Sequence, residues 1–157
     1  MRPALALMMF TGLGPKDALT LRRDQYRQGQ IATQRSKTGE PVFWRAPAAL
    51  AEILATAPAH AAITLCASTT GRPWTQDGFN TSWQRLRLSL EEKGAVQPRL
   101  TLYGLRHTVA VILREAGCDE RTIADALGQR TPAMALHYAT GADLANKMAE
   151  VASDDGR

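Results

Sequence analysis

Residues 101–138 read TLYGLRHTVAVILREAGCDERTIADALGQRTPAMALHY, and the order of helices in this stretch decides how the rest of the chain must fold. Leu102, Leu105, Val109, Ile112 and Leu113 recur at steps of three and four, the apolar stripe of a helix, and Gly117 stops it. Arg121 to Leu127 makes a short second helix closed by Gly128. Thr131-Pro132 then supplies an N-cap and a proline at the first helical position, opening a helix that carries Met134, His137 and Tyr138. Tyr103 and Arg106 are three apart and share one face. They are expected to flank the apolar stripe rather than lie within it.

Toward the N-terminus, Pro3 to Phe10 is apolar all round and reads as a buried helix. Thr11-Gly12-Leu13-Gly14 breaks it, and Pro15 sits where a new helix favours proline. From Gln25 to Pro47 the period changes to alternation, with glycine turns at Gln28-Gly29 and Thr38-Gly39. That pattern predicts a three-stranded antiparallel sheet, with Lys37 beside the second turn. Pro47 to Ala57 reads as a helix and Ile63 to Cys66 as a short strand. Thr75 or Asp77 opens a longer helix with Phe79, Trp83, Leu86 and Leu90 on one side, ended by Gly94. A last helix spans 142–151, and the polar tail 151–157 is expected to be disordered. The fold class is therefore mainly α with a small three-stranded antiparallel sheet, an α+β domain over residues 1–150.

Composition bounds the function. The chain has 157 residues, 45% of them hydrophobic, which is enough for one domain with a real core. Its net charge of +4 permits a polyanionic partner without requiring one. Cys66 and Cys118 are far apart and form no CxxC pair, so reduced thiols in the cytoplasm are expected. His60, His107 and His137 show no zinc-type spacing, and no metal is expected. No apolar run reaches the length of a membrane span.

Taken singly, the chemistry-bearing residues have plain structural readings. Arg106 reads as a surface arginine paired with Glu115 or Asp119, although its planar fork could grip an anion. Tyr138 reads as a half-buried packing tyrosine. Ser36-Lys37-Thr38-Gly39 reads as a hairpin turn. Their order and spacing say more. TGL…DALTL, then RSKTGEPV, then LYGLRHTVA, then LGQRTPAMALHYA resembles the catalytic domain of the tyrosine recombinases, the phage integrase family. The resemblance runs from about Leu5 to about Lys147, and the step from Gln129 to Tyr138 matches the family's step from its second histidine to its tyrosine.

The resemblance implies the tyrosine recombinase catalytic-domain fold and a site-specific, metal-free DNA strand exchange. Tyr138 corresponds to the nucleophile that forms a 3′-phosphotyrosine, Arg106 to the second arginine of a phosphate clamp, and Lys37 to the lysine that protonates the leaving 5′ oxygen. Lys37, Arg106, His107 and Lys16 are the expected DNA-binding residues. The implied partner is double-stranded DNA, with further copies of the chain or a full-length recombinase beside it on the DNA, in the cytoplasm and on the nucleoid when active. No cofactor and no membrane are implied.

Three positions depart from the family's pattern. Tyr103 stands for a histidine, Gln129 for the histidine of LGH, and Gly14 for the first arginine. Tyr103 and Gln129 can still hydrogen-bond a phosphate and complete the expected catalytic set. Glycine cannot, and an arginine at a phosphoryl centre is worth roughly 10³–10⁵ in rate. The expectation is an unfilled space at Gly14 and impaired cleavage, with Lys16 the nearest substitute cation in sequence. The alternative is an inactive DNA-binding or recombinase-partner module. The family's N-terminal DNA-clamp domain has no counterpart ahead of the first helix in this sequence.

Overall fold

The computed structural model describes residues 1–129, which form six α-helices, a short 3-10 helix at Arg23–Gln25 and one sheet. The helix expected from Thr131-Pro132, with His137 and Tyr138, lies outside these residues. So do the last helix, 142–151, and the tail.

Helix α1, Arg2–Thr11, is the centre of the main core: Ala4, Leu7 and Met8 have no exposed surface. Gly12 ends it in the left-handed conformation, at φ 63°, and a Cβ there would collide with Leu127. Glycine is thus required twice over, by the turn and by the close approach of a distant chain segment. Helix α2, Pro15–Thr20, follows with Pro15 in its first turn.

The expected sheet is present. Strands β1, Tyr26–Arg27, β2, Gln30–Gln34, and β3, Pro41–Arg45, pair antiparallel in sequence order. Gln28 and Gly29 both take positive φ, 50° and 75°, the backbone of a two-residue hairpin turn whose twist suits its strands. On the inner face Ile31 and Val42 are buried, while Phe43 on the outer face is 72% exposed. Helix α3, Ala48–Ala55, buries Leu50 against the same core.

Residues 63–66 do not form the expected strand. Thr64 makes only an isolated antiparallel bridge with Arg22, and Leu65 N–H donates to Leu21 O at 2.7 Å. Among the described residues its pairing stops at that single bridge, too short for a strand. Helix α4, Gln76–Glu92, is capped by Thr75, whose Oγ1 accepts from Gly78 N–H. Of its apolar stripe only Phe79 is fully buried, edge-on to Trp74 at 5.3 Å; Leu86 is exposed. Its first turns meet the core and the remainder runs along the surface.

Helices α5, Gly104–Glu115, and α6, Glu120–Leu127, form a second, smaller core from Val109, Ala110, Ile123, Ala124 and Leu127. Trp44 of β3 packs against both cores, and its Nε1–H donates to Ala126 O at 2.8 Å. On α5 the buried line runs through Arg106, Val109 and Ala110, so Ile112 falls off it and is exposed. Among the described residues no helix is long and apolar enough to cross a membrane.

Candidate active site

Arg106 is placed in the interior, not at the stripe's edge. It is 6% exposed, in the first turn of α5. Its Nη1 donates to Gly12 O at 2.7 Å and its Nη2 to Leu127 O at 2.8 Å. The two carbonyls are the ends of α1 and α6, where helix geometry leaves carbonyl oxygens short of partners and partially negative. A guanidinium is the side chain suited to this place, since its rigid fork serves two acceptors at once. The expected ion pair with Glu115 or Asp119 is not what holds it. Asp119 instead caps α6, accepting from Thr122 N–H, and those hydrogen bonds hold its carboxyl below the ordinary range.

Arg106 lies on the wall of a cleft of about 410 Å³. Lys16, Lys37, Tyr103 and Gln129, all expected in one site, line the same cleft, as does Gly14. Lys16 and Lys37 are exposed and Tyr103 is 62% exposed. Tyr103 precedes α5 as its N-cap residue; the turn before it closes through Thr101 Oγ1, which accepts from Gly104 N–H at 2.9 Å. His107, also expected to touch DNA, is exposed on α5 and does not line this cleft. Tyr138 lies outside the described residues.

Gln129 is set by the end of α6. Gly128 turns left-handed at φ 61°, and Gln129 N–H returns to Ala124 O at 2.8 Å. The Gln129 side chain is 6% exposed, yet neither its Oε1 nor its Nε2 has a hydrogen-bond partner among the described residues. A buried amide in that state costs about 1–3 kcal/mol per group, so its place is one that a ligand can complete.

Two cleft residues escaped the sequence reading. Asp17, in α2, is buried and ties the cleft together: Oδ1 accepts from Ser36 N–H at 2.9 Å, and Oδ2 lies 2.9 Å from Arg35 Nη1. Arg35 itself, at the base of the β2–β3 hairpin, faces Gly14, and a Cβ on Gly14 would stand 3.5 Å from its Nη2. Arg35 lies just past the end of β2 and residues 36–38 form the turn, so no strand alternation in the sequence marked it. Arg35, Arg106, Lys16 and Lys37 make four cations against the single carboxylate of Asp17 among the described lining residues. Such a cleft favours a phosphate over any neutral or cationic ligand.

The model of the phage integrase family matches residues 1–144. The chain belongs to the phage integrase family. Its fold is that of solved integrases and recombinases. It is similar to the XerA recombinase, with a TM-score of 0.72, 18% identity, and coverage of 87% of this chain and 52% of that one. A lambda integrase dimer bound to a COC′ core site gives 0.70 and 21%, covering 88% and 51%. The catalytic domain of bacteriophage HP1 integrase gives 0.60 and 19%, covering 88% and 73%. The chain thus spans about half the length of the first two structures. No curated protein sequence matches it significantly.

Proposed function

We propose that this integrase-family chain is the catalytic domain of a site-specific DNA recombinase that breaks and rejoins double-stranded DNA through Tyr138. The Tyr138 phenolic oxygen attacks a phosphodiester phosphorus, a 3′-phosphotyrosine forms, and the bond to the 5′ oxygen breaks. Lys37, on an exposed hairpin, gives that oxygen its proton, and the phenol's proton leaves through cleft residues or water. Arg106 binds the non-bridging oxygens, and Tyr103 and Gln129 hydrogen-bond the same phosphate. Rejoining is the reverse displacement by a 5′ hydroxyl. The DNA is met in the cytoplasm, with a further copy of the chain beside it, as in the dimer on a core site of lambda integrase.

The observation that carries this reading is the seating of Arg106. A buried guanidinium locked onto two helix ends, beside a cleft rimmed by lysines, is a preorganised place for an anion rather than a surface ion pair. Gly14 contributes no donor, so the rate depends on which other cation reaches the phosphate. Gly14 also favours a second reading, an inactive module that binds DNA or a partner recombinase.

A nicked suicide duplex, carrying a site first selected from random sequences, tests both. The chain should form a covalent adduct, and Tyr138→Phe should form none. An adduct that survives Tyr138→Phe removes the tyrosine from its role. DNA retention with no adduct from the unaltered chain supports the inactive module.

A further inference from the structure

Phosphate held by Arg106 alone would have one fork on one side. Lys16 and Lys37 are exposed point charges on long stems and do not reproduce a second fork. Arg35 is built differently. Its side chain is only 13% exposed. Its stem lies so close to Gly128 that a Cβ there would come within 2.6 Å of its Cγ and 3.0 Å of its Cδ. Its head passes in front of Gly14, with Nη2 on the Gly14 side. Gly128 thus makes room for the arginine's stem, and Gly14, far away in sequence, places no side chain in front of its head.

The conformations of the two glycines separate cause from accident. Gly128 needs glycine for its positive φ as well as for space. Gly14 has φ −67° and ψ 163°, which any residue adopts. Backbone geometry therefore does not require glycine at 14, and a Cβ there would make only ordinary contact with Arg35 Nη2, at 3.5 Å; a side chain as long as arginine's would compete for the space that the Arg35 head fills.

The Arg35 head is anchored but not used up. Asp17 Oδ2 lies 2.9 Å from Nη1, yet that buried Nη1 has no aligned hydrogen-bond partner among the described residues. The carboxylate stands as an orienting counter-charge. It also holds the adjacent Ser36 N–H, which fixes the hairpin that delivers Arg35. On the same cleft, the amide of the 6% exposed Gln129 has no hydrogen-bond partner among the described residues and is open to the same ligand. Arg106 grips Leu127 O, the residue before Gly128, so both arginines are referred to the same end of α6.

We propose that Arg35, reaching from the β2–β3 hairpin, is a second phosphate-clamping arginine of this site and occupies the place that Gly14 leaves open. The proposal rests on the reading of the cleft as a phosphodiester site. It replaces the expectation of an unfilled space, and it makes Gly14 the partner of Arg35 rather than a lesion. Lys16 is then not the compensating cation.

The test uses the whole chain with labelled arginine side chains. The Nε–H resonances of Arg35 and Arg106 are followed as inorganic phosphate replaces chloride at constant ionic strength. Both should shift with one common dissociation constant. A shift of Arg106 alone overturns the role of Arg35 and leaves the phosphate cleft standing. No shift of either overturns both.

Variants then ask whether the two positions exchange. R35Q keeps the stem on Gly128 and an amide toward Asp17, and should weaken phosphate binding about tenfold or more, as expected for loss of a charge-assisted hydrogen bond. Adding G14R to R35Q should restore most of that affinity, because the space before Gly14 is then vacated. G14R alone should not improve on the unaltered chain. If R35Q binds phosphate as tightly as the unaltered chain, or if G14R strengthens binding equally with and without Arg35, the exchange is refuted.

Discussion

At the scale of single residues, burial decides what each group can do. Arg106 is tolerated inside because two helix-end carbonyls accept from it at 2.7 and 2.8 Å. The buried Cys66 thiol has no such partner among the described residues. Burial pushes its thiol from 9.0 up to about 12, against a smaller opposing pull from the N-terminal ammonium of Met1. Below about pH 9 the thiol is protonated whether the chain is folded or not, so stability does not depend on it. Between 9.0 and about 12 the unfolded chain releases a proton that the folded chain keeps. Stability should therefore fall as pH rises through that window, by roughly 1 kcal/mol per unit. Urea melts at about pH 8 and about pH 10 would show the loss. Cys66→Ala should be less stable overall but should lose that part of the slope; an unchanged slope would place the titration elsewhere.

At the scale of elements, the two glycine turns around the hairpin and α6 differ in what they carry. Gly39 has φ 72° and nothing within 4 Å of a would-be Cβ. Gly39→Ala should cost only the backbone term, about 1 kcal/mol. Gly128 has φ 61° and would press a Cβ to 2.6 Å from both Arg35 Cγ and Val42 Cγ2. Gly128→Ala should cost about 2–4 kcal/mol and should also displace Arg35. Denaturant midpoints for the pair check this; equal costs would mean that the hairpin can withdraw from α6 without penalty. The turns and helix ends were legible in the sequence because capping and turn chemistry are local: Gly12, Pro15, Gly29, Thr75 and Gly128 all sit where their residue types predict. The strand expected at 63–66 failed because alternation cannot reveal whether a neighbouring strand exists. Ile112 failed because the buried face of α5 was set by Arg106, a residue that hydropathy places outside.

At the scale of the whole molecule, the site is assembled from contacts that sequence spacing cannot display. Lys37, Arg106 and Gln129 were legible through a family resemblance, and they do line one cleft. Arg35 and Asp17 were not, because their meeting depends on the hairpin folding back over α2, and Arg106 finds Gly12 across 94 residues. The cleft that results concentrates four cations against one carboxylate among its described lining residues. If duplex DNA lies along it, each cation that meets a phosphate releases counterions, and the logarithm of affinity falls with the logarithm of salt by about 0.9 per contact. Binding to a duplex of arbitrary sequence should then be weak, steeply salt-sensitive and nearly indifferent to sequence, since phosphate contacts carry no base information. Lys16 and Lys37 are exposed and their side chains tie down no other element among the described residues, so the double substitution to alanine should leave the melting temperature nearly unchanged. It should make the salt slope shallower by roughly 2 and weaken all sequences alike. Fluorescence anisotropy across a salt series measures both quantities on the same samples. A slope that stays the same in the double variant would mean that the DNA passes over another face, and the cleft would then serve some smaller phosphate.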